Sequence, residues 1–124
     1  MKIADVYVPD LRTCSQLESL PDAAKEMADA EIGALAVIDE AHDLVGIISE
    51  RDLVLALADE DDPGSVSVGQ YTTANVETAR LDEESSDVAR RMLDAGIRHL
   101  PVVEHDRVVG MISMRDLLAL ETWV

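Results

Sequence analysis

The sequence has 124 residues, with 26 Asp and Glu against 10 Lys and Arg, for a formal net charge of −16 at pH 7. That length builds one ordinary hydrophobic core without disulfide staples, and a 48% hydrophobic content sets the chain apart from disordered acidic proteins. The charge excludes electrostatic binding to nucleic acid or to anionic lipid, because phosphate contacts need clustered Lys and Arg.

In chain order, the first predicted element is a short strand near 11–13. Asp22–Ala30 follows, with Ala23, Met27 and Ala30 spaced to share one helical face. Ala34–Ile38 is a short apolar run read as a buried strand, and a polar turn leads into a second strand over Val45–Ile48. Leu53 and Leu57 mark an amphipathic helix. The segment DEDDPGS (59–65), with Pro63 and Gly64, reads as a linker. The same order then recurs: a strand near 76–78, a helix over Asp87–Ala95 with Val88, Met92 and Ala95 on one face, strands at Leu100–Val103 and Val108–Ile112, and a helix carrying Leu117, Leu118 and Leu120.

The recurrence is written in the residues. MADAEIGALAVID (27–39) lies over MLDAGIRHLPVVE (92–104) at an offset of 65, and LVGIISERDLVLAL (44–57) lies over VVGMISMRDLLALE (108–121) at an offset of 64. The one-residue difference falls in a polar turn, where length changes are tolerated. Two β-α-β-β-α repeats of the α+β class are therefore expected, with domain limits of 1–58, a linker at 59–65, and 66–124. Neither half buries its apolar faces well alone, so the two are expected to pack together.

The sharpest repeated element is Gly46-Ile47-Ile48-Ser49-Glu50-Arg51-Asp52, matched by Gly110-Met111-Ile112-Ser113-Met114-Arg115-Asp116. Glycine permits close backbone approach. The serine sits where strand passes into helix, with aspartate three residues on. One reading is a capping box, worth about 1 kcal/mol of helix stability. The other uses the same geometry for a ligand. Free amides at a helix start suit a phosphate, arginine adds a charge-assisted bond, and aspartate accepts ribose hydroxyls. Spacing alone leaves both readings open.

Two such copies, each with an apolar run ahead of G-h-h-S-x-R-D, resemble a tandem pair of cystathionine-β-synthase (CBS) domains over essentially the whole chain. The resemblance implies two repeats packed through their sheets with pseudo-twofold symmetry, a homodimer of modules, and clefts between repeats that bind AMP, ADP, ATP or S-adenosylmethionine as regulatory ligands. It implies that Asp52 and Asp116 hold ribose hydroxyls and that Ser49 and Ser113 assist with phosphate or ribose. By the same resemblance Thr13, Ala34 and Ala36 in the first repeat, and Thr78, His99 and Pro101 in the second, line the adenine pocket.

The two sites are not equivalent in charge. Residues 1–62 carry −12 and residues 63–124 carry −4. Arg98, His99, Arg107 and Arg115 all belong to the second repeat, where the first has Gly33 and Ala34 in place of Arg98 and His99. A phosphorylated adenosine is thus expected to favour the site with Arg98, His99, Arg115 and Asp116, with Arg51 within reach of the same phosphate. Solvated positions at a strand start would account for Arg98 and His99 equally well.

Catalysis is not expected, since no nucleophile elbow, Walker loop or dinucleotide fingerprint occurs. Three histidines without ligand spacing and a single cysteine offer no metal set. Cys14 allows no intrachain disulfide, which fits a reducing cytoplasm. MKIADVYVPD holds no signal-peptide run, and apolar stretches of five or six residues are too short to span a bilayer. The many acids, two Lys and three aromatics resemble the composition of salt-in halophile proteins, though an acidic binding surface would give the same balance. The leading reading is a ligand sensor that signals to a separate protein effector. The alternatives are an S-adenosylmethionine sensor and a structural dimerisation module with empty clefts.

Overall fold

The computed structural model describes residues 1–9, 12–74 and 77–122, and of 120–122 the backbone only. Its contacts divide into a continuous unit, residues 12–76, and a discontinuous unit, residues 1–11 with 77–124. Each holds one three-stranded sheet and two helices, an α+β arrangement.

In the continuous unit β1 (Thr13–Ser15) runs parallel to β2 (Ala34–Ile38), with Thr13 opposite Ala36 and Ser15 opposite Ile38. β3 (Leu44–Ser49) returns antiparallel to β2 after the polar turn. Between β1 and β2 lies α1 (Leu20–Ala30). It starts where Ser19 Oγ accepts from the Asp22 amide at 3.2 Å, and it ends at Glu31, whose φ of 56° is left-handed. α2 (Glu50–Asp59) follows β3 directly. Leu35, Val37 and Ile48 from the sheet meet Leu20, Ala23 and Met27 of α1 and Ala56 of α2 in one buried cluster. The period of two along the strands places Ala34, Ala36, Ile47 and Ser49 on the other face.

The discontinuous unit repeats this plan with β4 (Ala79–Arg80) parallel to β5 (His99–Glu104), β6 (Arg107–Ser113) antiparallel to β5, and the helices α3 (Ser85–Ala95) and α4 (Met114–Thr122). Its core gathers Ala79, Val88, Met92, Leu100, Val102, Ile112 and Leu117. α3 ends at Gly96, φ 67°, the counterpart of Glu31.

One feature was not visible in the element pattern. Each sheet is completed by the lead-in segment of the other repeat. Val68, fully buried, joins the core of the continuous unit and donates its amide to the Glu18 carbonyl at 2.7 Å. Ile3, equally buried, joins the other core and donates to the Glu83 carbonyl at 2.9 Å. Further along the same segments, Thr73 bridges Ile47 and Val8 bridges Met111.

Several expectations shift accordingly. The first strands lie at Thr13–Ser15 and Ala79–Arg80, about two residues later than expected, and Leu11 and Val76 fall outside the described residues. A short β-branched run fixes no register; the parallel partner strand does. α2 turns Leu53 and Ala56 inward and leaves Leu57 67% exposed, while α4 buries Leu117 and leaves Leu118 at 59%, because two-layer packing needs only a narrow stripe from each helix. Ala95 is likewise exposed. Leu120 lies outside the residues whose side chains are described.

Candidate functional site

The motif glycine has a concrete steric role. A Cβ on Gly46 would strike the Thr73 carbonyl oxygen and come within 2.6 Å of Thr72 Cγ2. On Gly110 it would strike the Val8 carbonyl oxygen and the Tyr7 ring, 2.6 Å away. The bare backbone lets the lead-in segment pair with the third strand: Ile47 N–H donates to the Thr73 carbonyl at 3.1 Å, and Met111 N–H to that of Val8 at 3.1 Å. Tyr7, Val8, Thr72 and Thr73 thus border the motifs. The motif glycines were the sequence signal for a close neighbour, but not for which one.

At the strand-to-helix junctions both caps are formed. Ser49 N–H donates to Asp52 Oδ2 at 2.8 Å, Ser49 Oγ lies 3.0 Å from the same oxygen, and the Asp52 amide donates to Ser49 Oγ at 3.4 Å. In the second copy Ser113 N–H donates to Asp116 Oδ2 at 3.0 Å and the Asp116 amide to Ser113 Oγ at 3.0 Å. The capping reading therefore holds in both repeats. It engages one carboxylate oxygen, Oδ2, and leaves Oδ1 outside the box. Both aspartates are half-buried, so each cap presents a carboxylate edge without the desolvation of a core position.

The remaining candidates fall into two groups by unit. In the continuous unit Thr13 pairs with Ala36 and Ala34 with Ser49, so Thr13, Ala34, Ala36, Ser49 and Asp52 share the sheet end that feeds α2. Ala34 and Ala36 are buried and Arg51 is exposed beside the cap. In the discontinuous unit His99 pairs with Ser113 and Pro101 with Met111, while Thr78 directly precedes β4. Pro101 is buried, His99 is half-buried, and Arg98 and Arg115 are exposed. The Arg98 carbonyl accepts from the Met114 amide at 2.8 Å, which brings its backbone to the first turn of α4, where Arg115 also sits. Gly33 does the same for Glu50 at 3.0 Å without supplying a cation.

Elsewhere the chemistry is sparse. A depression of about 410 Å³ at the far end of β4 and β5, lined by Arg80, Asp82, His105 and Asp106, mixes both signs of charge and lies away from the caps. Among the described residues no group of three or more His, Cys, Asp and Glu is placed to hold a metal ion, and no helix is long and apolar enough to cross a membrane. Cys14 is buried in β1, and that burial, with Glu18 and Glu26 nearby, pushes its thiol up to about 12. Burial and the charges of Glu26 and Asp22 also raise the Glu18 carboxyl above its usual range.

Two sheet-and-helix units, each closed by a serine–aspartate cap at a strand-to-helix junction, define a tandem-repeat α+β module. The CBS domain family model matches residues 3–59 and 68–121, and the chain belongs to that family. It is 39% identical over 117 residues to an uncharacterized 17.7 kDa protein of Acidianus ambivalens, covering 94% of this chain and 70% of that one. YlbB of Bacillus subtilis is 32% identical, with 94% and 79% covered. Among solved structures, the CBS domain pair of protein MJ0100, in complex with 5′-methylthioadenosine and S-adenosyl-L-methionine, superposes with a TM-score of 0.91 at 31% identity, covering 99% of this chain and 97% of that one. The CBS-domain protein ATU1752 from Agrobacterium tumefaciens gives 0.91 at 29% identity, covering 98% and 99%.

Proposed function

We propose that this chain is a regulatory module that binds an adenosine compound beside its serine–aspartate caps and reports occupancy to a separate protein. The observation that carries the reading is the near-complete likeness to the MJ0100 CBS pair, whose two bound molecules are both adenosine compounds. The local geometry supports it. Asp52 and Asp116 each keep Oδ1 clear of the cap to accept ribose hydroxyls, and Ser49 and Ser113 stand beside them. Thr13, Ala34 and Ala36, or Thr78, His99 and Pro101, supply a small, mostly uncharged surface for adenine. Binding regulates only if the ligand favours one arrangement of the partners by a real free-energy difference.

Within the class, the ligand is AMP, ADP or ATP where Arg98 and Arg115 at the start of α4 meet its phosphate. A second reading, S-adenosylmethionine or methylthioadenosine, is favoured by the molecules in MJ0100 and by the acidic charge, which suits a sulfonium. Calorimetry with AMP, ATP, S-adenosylmethionine and methylthioadenosine separates them. Preference for AMP or ATP, damaged more by Asp116→Ala than by Asp52→Ala, supports the phosphate reading; equal losses remove the asymmetry. Absence of binding and of any thermal shift leaves a structural dimerisation module. Pairing of two copies belongs to the same proposal, since Val54 at 63% and Leu57 at 67% exposure give α2 an apolar face for a second copy to cover. Sedimentation of a Leu57→Glu chain as a monomer, against a dimeric parent, tests it.

A further inference from the structure

The two repeats hold their lead-in threonines by different means. In the continuous unit the parallel ladder begins at Thr13, opposite Ala36. The counterpart in the other unit would set Thr78 opposite Pro101, which has no N–H to give, and there the ladder begins one residue later at Ala79 opposite Val102. β4 is only two residues long, so Thr78 stands just outside it.

A side-chain clasp from α3 holds this segment instead. Arg91 Nη2 donates to the Thr78 carbonyl at 2.9 Å. The same guanidinium donates to Glu83 through Nη1 at 3.2 Å and Nη2 at 3.3 Å, and Glu83 Oε2 accepts from the Arg80 amide at 2.8 Å. Arg91 Nε, buried without a hydrogen-bond partner, approaches Glu77 Oε2 at 3.4 Å as an ion pair. One cation thus grips the chain at 77, 78 and 83, and Glu83 completes the grip at 80. The first repeat cannot copy this. The positions of Glu77, Glu83 and Arg91 are filled there by Arg12, Glu18 and Glu26, and a carboxylate at 26 has no donor for the Thr13 carbonyl.

We infer that Arg91 is a positioning residue for the second-repeat site, fixing the backbone of Thr78 so that its side chain meets the adenosine ligand in one place. The inference rests on the adenosine reading above. It assigns a role in recognition to a residue that touches no ligand, and it makes the second site dependent on a side chain where the first depends on its ladder. Charge alone does not serve, because the fork geometry reaches a carboxylate and a carbonyl together.

The test is calorimetry with AMP and with methylthioadenosine, alongside thermal unfolding, on the parent chain and on Arg91→Met, Arg91→Lys and Arg90→Met. Arg90 is an exposed neighbour on α3 and controls for the charge change. Arg91→Met is expected to weaken the bound adenosine compound about tenfold or more, the scale of a lost charge-assisted hydrogen bond, with Arg90→Met unchanged. Arg91→Lys is expected to recover the unfolding midpoint but not the affinity, a split that a purely structural ion pair would not produce. Parent binding that Arg91→Met leaves intact, or affinity that follows the midpoint through all three variants, overturns the positioning role. A parent chain that binds neither compound overturns the adenosine reading itself, and the role with it.

Discussion

Replacing Gly110 by alanine separates steric from conformational accounts of the motif glycine by the sign of the effect. No left-handed φ is found at Gly110, so backbone preference alone favours the change: alanine in a strand interior is better than glycine by about 0.5–1 kcal/mol. The structure opposes it. The new Cβ overlaps the Val8 carbonyl and the Tyr7 ring, and the Val8 segment must withdraw. Withdrawal breaks two bridge bonds, Val8 N–H to the Met111 carbonyl at 3.0 Å and Met111 N–H to the Val8 carbonyl at 3.1 Å, each worth about 1 kcal/mol net. Residual crowding adds about 1 kcal/mol or more. After the strand gain, the net loss is about 2 kcal/mol, or about 6–10 °C in a domain of this size. Urea unfolding and amide exchange at Met111 measure it together. Unchanged or raised stability, with the Met111 amide still protected, would refute the reasoning.

Three further outcomes follow from particular residues. Glu31→Gly is expected to stabilise the chain by about 0.5–1 kcal/mol in thermal unfolding, because a left-handed φ penalises a side chain that Gly96 does not carry, and because it removes a negative charge from a helix C-terminus. Glu26→Gln is expected to raise the unfolding midpoint at neutral pH in dilute buffer and less so in molar salt, since Glu26 is a charge that burial forces on Glu18. With its carboxyl raised in the folded state, Glu18 gains stability as pH falls through that raised value, levelling off below the unfolded one, and the acid limb of the stability profile should show it. Cys14 is expected to resist Ellman's reagent at pH 8 and to react at the rate of unfolding. Because its thiol is pushed up to about 12, stability falls as pH rises above about 8.5, where only the unfolded thiol ionises.

Much of the architecture was legible because two copies were present to be compared. Ala34–Ile38 matches β2, and the helices and hairpins lie within one or two residues of their expected limits, since each rests on a local pattern. The first strands did not, for β1 and β4 exist only by pairing with β2 and β5. The caps were legible from Ser-x-x-Asp alone. Ile3, Val66 and Val68 were missed as core because they lie outside any periodic run, yet all three are buried, Ile3 and Val68 completely. Arg91 was likewise one arginine among eight, and only the position of the Thr78 carbonyl gave it meaning.

The exchange of lead-in segments has a consequence for how the molecule is made. All of the continuous unit has been synthesised once residue 76 has joined the chain, so its core can close before the other unit is complete. The other unit has to wait. Its Ile3 and Val8 are translated ahead of the continuous unit, but their partners Glu83 and Met111 come some 80 to 100 residues later. For that interval an apolar stretch near the start of the chain stays without its groove. The contacts that complete it join segments on either side of the continuous unit, a long loop to close but only a modest entropic penalty beyond that of a short one.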